Sequence, residues 1–177
     1  MARNRYAKDY RLVETIDERG HIKTDYEYIG APYRFEGEEA AVARDKKLAI
    51  ALCPLLWLLF LASMLPNSNA MRCMLVALPF VFTALPLGFL TDIVLSVCFA
   101  REPLEHRHAD KVNNSLPPSA LAAAVLSAAA VLAQLVRALK GGEMNGGDWL
   151  FLLGAAALSA ACFYAFSFRK KLAVGEA

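Results

Sequence analysis

An aspartate inside an apolar stretch is the first feature of the sequence that calls for a chemical explanation. Asp92 stands in Gly88-Phe89-Leu90-Thr91-Asp92-Ile93-Val94-Leu95-Ser96, the only acid in its apolar run. A carboxylate at the centre of a bilayer costs about 2.5–3.5 kcal/mol, so such a group is read first as a functional site. Gly88, Asp92 and Ser96 fall at i, i+4 and i+8, one face of a helix. That face is a candidate ion or proton site, with the carboxylate as the exchanging group and the hydroxyl as its neighbour. Depth decides between this role and a structural one. Residues 73 to 100 would span about 42 Å as a helix, more than the hydrocarbon core. A boundary at Cys73 leaves Asp92 among the headgroups, whereas one at Arg101 puts it about 13 Å deep.

Three prolines flank this site. Pro54 in the first apolar stretch and Pro79 and Pro86 in the second each remove a helical hydrogen bond, freeing the carbonyls of Ile50, Leu75 and Phe82. Free carbonyls at membrane depth coordinate cations in some transporters, but a plain helix kink is the expectation here. His106-Arg107-His108, with Glu105 and Asp110, matches no zinc spacing and reads as a solvated loop. Cys53, Cys73, Cys98 and Cys162 form no C-x-x-C pair. Walker A, G-x-S-x-G, H-E-x-x-H and G-x-G-x-x-G patterns are absent too, so no catalytic residue, metal or cofactor is expected.

The elements that must position these residues follow from charge. Of 177 residues, 57% are hydrophobic and only 20% charged, with a mean hydropathy of +0.37. That excess excludes a disordered chain, a collagen and a small disulfide scaffold. A net charge of +2 with no basic block leaves no nucleic-acid footprint. Residues 1–47 hold ten of the nineteen bases, whereas Leu48–Met71, Cys73–Thr91, Val112–Val136 and Trp149–Phe168 carry no charge. Each run reaches the 18 or so residues that a membrane-crossing helix needs. In lipid every backbone polar group must be satisfied within the segment, so helices are expected near 48–66, 73–98, 118–138 and 148–168. Glu38 and Glu39 ahead of Arg44, Lys46 and Lys47 suit the helix dipole and extend the first helix back to about 38.

Orientation follows from the bases. Arg34, Arg44, Lys46, Lys47, Arg101, Arg107, Lys111, Arg169, Lys170 and Lys171 lie on one side, against Arg72, Arg137 and Lys140 on the other. The positive-inside rule then puts both termini in the cytoplasm. No apolar h-region precedes residue 48, so the first helix is expected to serve as an uncleaved signal anchor. Trp149 at one interface, and Tyr164 with Arg169, Lys170 and Lys171 at the other, read as membrane-interface anchors. Gln134 and Arg137 read as an interfacial pair. Ala120, Ala124 and Ala128, with Ala156 and Ala160 or Ala157 and Ala161, offer small-residue faces on which the third and fourth helices can pack.

The polar tail, residues 1–37, carries its own signal. Tyr10–Ile16 is β-branched and aromatic, 22–29 alternates, and Asp17-Glu18-Arg19-Gly20-His21 between them is turn-forming. An isolated hairpin is marginal in water, so the face bearing Ile22, Tyr26 and Tyr28 needs a covering surface: its own bundle, headgroups or another protein. The expectation is an all-α integral membrane protein, with four helices in residues 38–177, both termini inside and a short cytoplasmic N-terminal β-hairpin. The alanine-rich helices suggest a bacterial inner membrane. Its contacts are the lipid bilayer and another membrane protein or a second copy of itself. The expected role is a non-enzymatic accessory or interaction subunit; the alternative is a small oligomeric ion- or proton-coupled transporter or channel working through Asp92.

Overall fold

The structure, a computed structural model, describes residues 6–16, 22–65, 67–100 and 102–176, the side chains of 14–16, 22, 23, 25 and 176 apart. The expected turn at 17–21 lies outside the described residues. The elements are β1 (Tyr10–Ile16), β2 (Ile22–Tyr28), β3 (Tyr33–Phe35), α1 (Glu39–Met64), α2 (Met74–Phe82), α3 (Ala84–Cys98), α4 (His106–Asp110), a π turn (Lys111–Ser115), α5 (Leu116–Leu139), α6 (Gly146–Phe166), α7 (Phe168–Lys171) and β4 (Val174–Glu176). They build four helical stretches long and apolar enough to cross a membrane: Glu39–Met64, Met74–Cys98, His106–Leu139 and Gly146–Lys171.

Local chemistry sets the boundaries. Gly37 enters α1 at φ +133°, a left-handed conformation that side chains disfavour. Pro54 sits inside an unbroken α1 and Pro79 inside α2. The second stretch breaks only at Thr83, between Pro79 and Pro86, where the Thr83 hydroxyl donates to the Pro79 carbonyl at 3.0 Å. The third stretch corrects the sequence reading, for it begins at His106 rather than near 118. Pro117 and Pro118 look like a helix start because proline is favoured there. Instead a π turn precedes them, in which the Leu116 amide donates to the Lys111 carbonyl five residues back, and the helix runs through.

Around the bundle, α5 packs on α6, α2 and α3, α6 on α1, and α1 on α3. The α5 seam is small: Ala120, Ala123, Ala124, Ser127 and Ala130 are buried. The α6 seam is Phe151, Ala155, Leu158, Cys162 and Ala165; Ala156, Ala157 and Ala160 face outward, so the pairs expected from spacing do not form it. Because Phe151 and Leu158 fix which stripe of α6 turns inward, alanine spacing alone could not select it. Close approach lets Ser159 Oγ donate to the Ala124 carbonyl at 3.0 Å. Across the bundle, Phe60 stacks on Phe80 at 5.1 Å and Phe80 meets Phe151 edge-on at 5.0 Å, joining α1, α2 and α6. Outside this core an apolar girdle that includes Leu58, Leu75, Phe89, Leu132 and Leu153 stays exposed, far more than a soluble monomer tolerates.

One end of the bundle is tied by a buried carboxylate. Asp148 is fully buried at the start of α6. Its Oδ1 accepts from Ser68 Oγ at 3.1 Å and the Ala70 amide at 2.8 Å; its Oδ2 accepts from the Asn145 amide at 3.0 Å and pairs with Arg137 at 3.1 Å. Asn145 Oδ1 in turn accepts from the Asp148 amide at 2.8 Å, completing a capping box. Arg137 and Gln134 do pair near the end of the third stretch, Arg137 Nε donating to Gln134 Oε1 at 3.0 Å; Gln134 is fully buried, and Arg137 also turns inward to the carboxylate. Only glycine fits at 147, where a Cβ would meet the Asn67 carbonyl oxygen at 2.8 Å.

Removing one member of a buried ion pair strands the other. Asp148→Ala is therefore expected to cost about 3–5 kcal/mol, read as a lower unfolding midpoint in detergent, and Asn145→Ala about 1 kcal/mol. Equal, small losses for both would mean that the carboxylate does not bind the three segments together.

Candidate functional site

At the opposite end, the tail and the helix connections build one polar platform. β1 and β2 pair antiparallel, Tyr10 opposite Tyr28 and Ile16 opposite Ile22, while β3 pairs with β4 and bridges from Tyr33 to Leu104. Residues from both ends of the chain thus meet on one face of the bundle. The second sheet escaped the sequence reading because three-residue strands leave no alternation to detect. Lys46 secures it by sitting 4.0 Å over the Phe35 ring and 3.6 Å from Glu102.

The hairpin is held at its base. Tyr6 donates its hydroxyl to Asp110, and Tyr10 donates its own to Glu105 Oε2 at 2.5 Å. Tyr28 OH accepts from the His106 amide at 2.9 Å and donates to the Ala31 carbonyl at 2.9 Å. Asp9 Oδ2 lies 3.1 Å from His106 Nδ1, and the His106 ring stacks on Tyr33 at 5.6 Å. The 105–110 segment, read from sequence as a solvated loop, is thus the hairpin's anchor. No group of three or more His, Cys, Asp or Glu side chains suited to a metal occurs among the described residues. Burial first, and then the Glu105 carboxylate, pushes the Tyr10 hydroxyl up to about 12.

Of the three residues expected on a partner face, Tyr28 is claimed by its own chain, Tyr26 is exposed, and the side chain of Ile22 lies outside the described residues. Tyr26 pairs across the hairpin with Leu12, also exposed, and this face looks over a groove of about 1100 Å³ towards Ser96 and Lys111.

Asp92 lies on the outer surface of α3, not in the bundle core. Lys111 Nζ donates to Asp92 Oδ2 at 2.8 Å and to Ser96 Oγ at 3.0 Å. Gly88 lies one turn from Asp92 on the same outward face, with no atoms near its missing Cβ. Lys111 is the partner that the sequence reading missed. The available signal was an acid late in the second stretch and a base just ahead of the third, both at the basic end. The interior near this end is closed, with a cavity of only about 10 Å³ among Cys53, Leu56, Leu90 and Leu116, room for one water at most.

The residues read as interface anchors lie at the two ends of the fourth stretch. Trp149 is exposed at the far end; at the platform end Lys171 Nζ donates to Tyr164 OH at 3.1 Å and lies 4.9 Å from that ring, with Arg169 and Lys170 exposed beside it. No protein-family model, curated protein or solved structure matches the chain.

A phenol held neutral stabilises the fold below its unfolded value of about 10, and that contribution is lost as pH rises through about 12. In an absorbance titration one of the six tyrosines should ionise near pH 12, and Tyr10→Phe should remove that step. A titration curve that Tyr10→Phe leaves unchanged near pH 12 would contradict the Tyr10–Glu105 anchor.

Proposed function

We propose that the chain is a non-enzymatic accessory or interaction subunit of a membrane assembly, set in the cell membrane with both termini in the cytoplasm. The orientation rests on the ten bases that the sequence sets on one side of the four apolar runs against three on the other. The role rests on one observation: a hairpin clamped to its own bundle at the base, with no third strand on either edge among the described residues. Such an edge is a template for strand addition by a partner. The Ile29 amide donates to the Asp9 carbonyl at 2.9 Å, which fixes the ladder's alternation. Arg11–Glu27, Val13–Asp25 and Thr15–Lys23 are the hydrogen-bonded pairs, so the backbone groups of Leu12, Glu14, Thr24 and Tyr26 point outward. Their neighbours Arg11, Asp25 and Glu27 are charged, the usual guard against unspecific pairing.

The outward position and Lys111 pairing of Asp92, together with the closed interior, favour this role over ion or proton transport.

Proline at an outward position deletes an edge donor and spares the internal ladder. Native mass and mass spectrometry after mild-detergent purification are expected to find a second protein with the full chain and to lose it with Glu14→Pro or Thr24→Pro, at unchanged thermal stability. Recovery of copies of the chain alone, or of a partner indifferent to both prolines, would overturn the proposal.

A further inference from the structure

We infer that the groove beneath the hairpin is a binding site for one phospholipid whose headgroup carries both a phosphate and a primary amine. The inference rests on the membrane-embedded reading, but not on the partner proposed above. It begins from two hollows that follow one another along α3 and the third helical stretch. The upper one, about 1100 Å³, lies between the Leu12–Tyr26 face of the hairpin and the polar ends of the helices at Ser96, Arg107 and Lys111. The lower one, about 520 Å³, is apolar and is formed by Phe82, Pro86 and Phe89 facing Pro118 and Ala122. Ser115 in the upper hollow and Pro118 in the lower are one turn apart on the third stretch; Ser96 and Phe89 are two turns apart on α3, with Asp92 between. A chamber that carries charged and hydroxyl groups, set above an apolar slot along the helix axes, has the shape of a lipid in one leaflet. The lower hollow extends over 82–89, about 10 Å along the helix, well within a leaflet's share of the hydrocarbon core.

Charge selects the headgroup. The cations at the chamber, Lys111 and Arg107, are each matched by a carboxylate: Asp92 at 2.8 Å from Lys111 and Glu105 at 2.6 Å from Arg107, with Asp110 close by. A net-anionic headgroup would bring its charge against three carboxylates. A zwitterion inserts into the Lys111–Asp92 pair instead, its phosphate on Lys111 and Ser96 and its ammonium on Asp92, so that each charge keeps a partner. A primary ammonium has three N–H donors for that carboxylate; a quaternary one has none. The chamber therefore favours the primary amine, and the slot below it favours a lipid over a free phosphoester.

The test places the full chain in nanodiscs made from equal parts of phosphatidylethanolamine, phosphatidylglycerol and phosphatidylcholine, releases it and weighs the retained lipid by native mass spectrometry. The expectation is one phosphatidylethanolamine per chain, enriched several-fold over both others. Lys111→Gln should cut its retention about tenfold, the loss of a charge-assisted contact. Ala122→Phe, which fills the slot without touching a charge, should displace it as well. Equal retention of all three lipids, preference for either of the others, or retention that neither variant changes would overturn the site. A chain that fails to enter nanodiscs would overturn both the site and the membrane reading on which it rests, which tells the two failures apart.

Discussion

Polar groups on long apolar helices need a partner inside the protein, on their own helix, on a neighbour or at an end, and this constraint arranges the rest of the molecule. Ser63 and Thr91 donate back to carbonyls four residues earlier, at 2.7 and 2.8 Å, and Trp57 Nε1 donates across to Thr91 Oγ1 at 3.0 Å. Charged chemistry is driven outward to the two ends, and the ends have different designs. One is a compact clamp on a single buried carboxylate. The other is an open platform of two small sheets, a groove and exposed bases.

The two designs divide the work. Asp148 collects donors from the α1–α2 connection, the end of α5 and the start of α6, so all four helical stretches are tied at one well-satisfied charge. Its burial is tolerable because each oxygen has two partners. At the platform, tyrosine hydroxyls do the joining, one hydrogen bond at a time, and an isolated hairpin gains a surface to rest on. Leu12 and Tyr26 line the groove beneath the hairpin.

What the sequence made legible were the features carried by a contiguous pattern. Four uncharged runs of 18 residues or more marked the four long apolar helices, and the β-branched and aromatic run 10–16 with the alternation at 22–29 marked the hairpin. Features that depend on contacts far along the chain stayed hidden. Asp148 stands at the start of the fourth helix expected from the sequence, but nothing local ties it to Ser68 or Arg137. Asp92 was found by its type, whereas its meaning came from Lys111, placed by a π turn that no sequence period announces.

The account stands or falls on the hairpin being a docked part of the bundle. Amide hydrogen exchange of β1 and β2 in the full chain, set beside a peptide of residues 1–36, measures this directly. Docking predicts strong protection of the ladder amides of Arg11, Val13, Asp25 and Glu27 in the full chain and almost none in the peptide, which lacks its anchor at 105–110. Equal, fast exchange in both would show a free hairpin and contradict the platform.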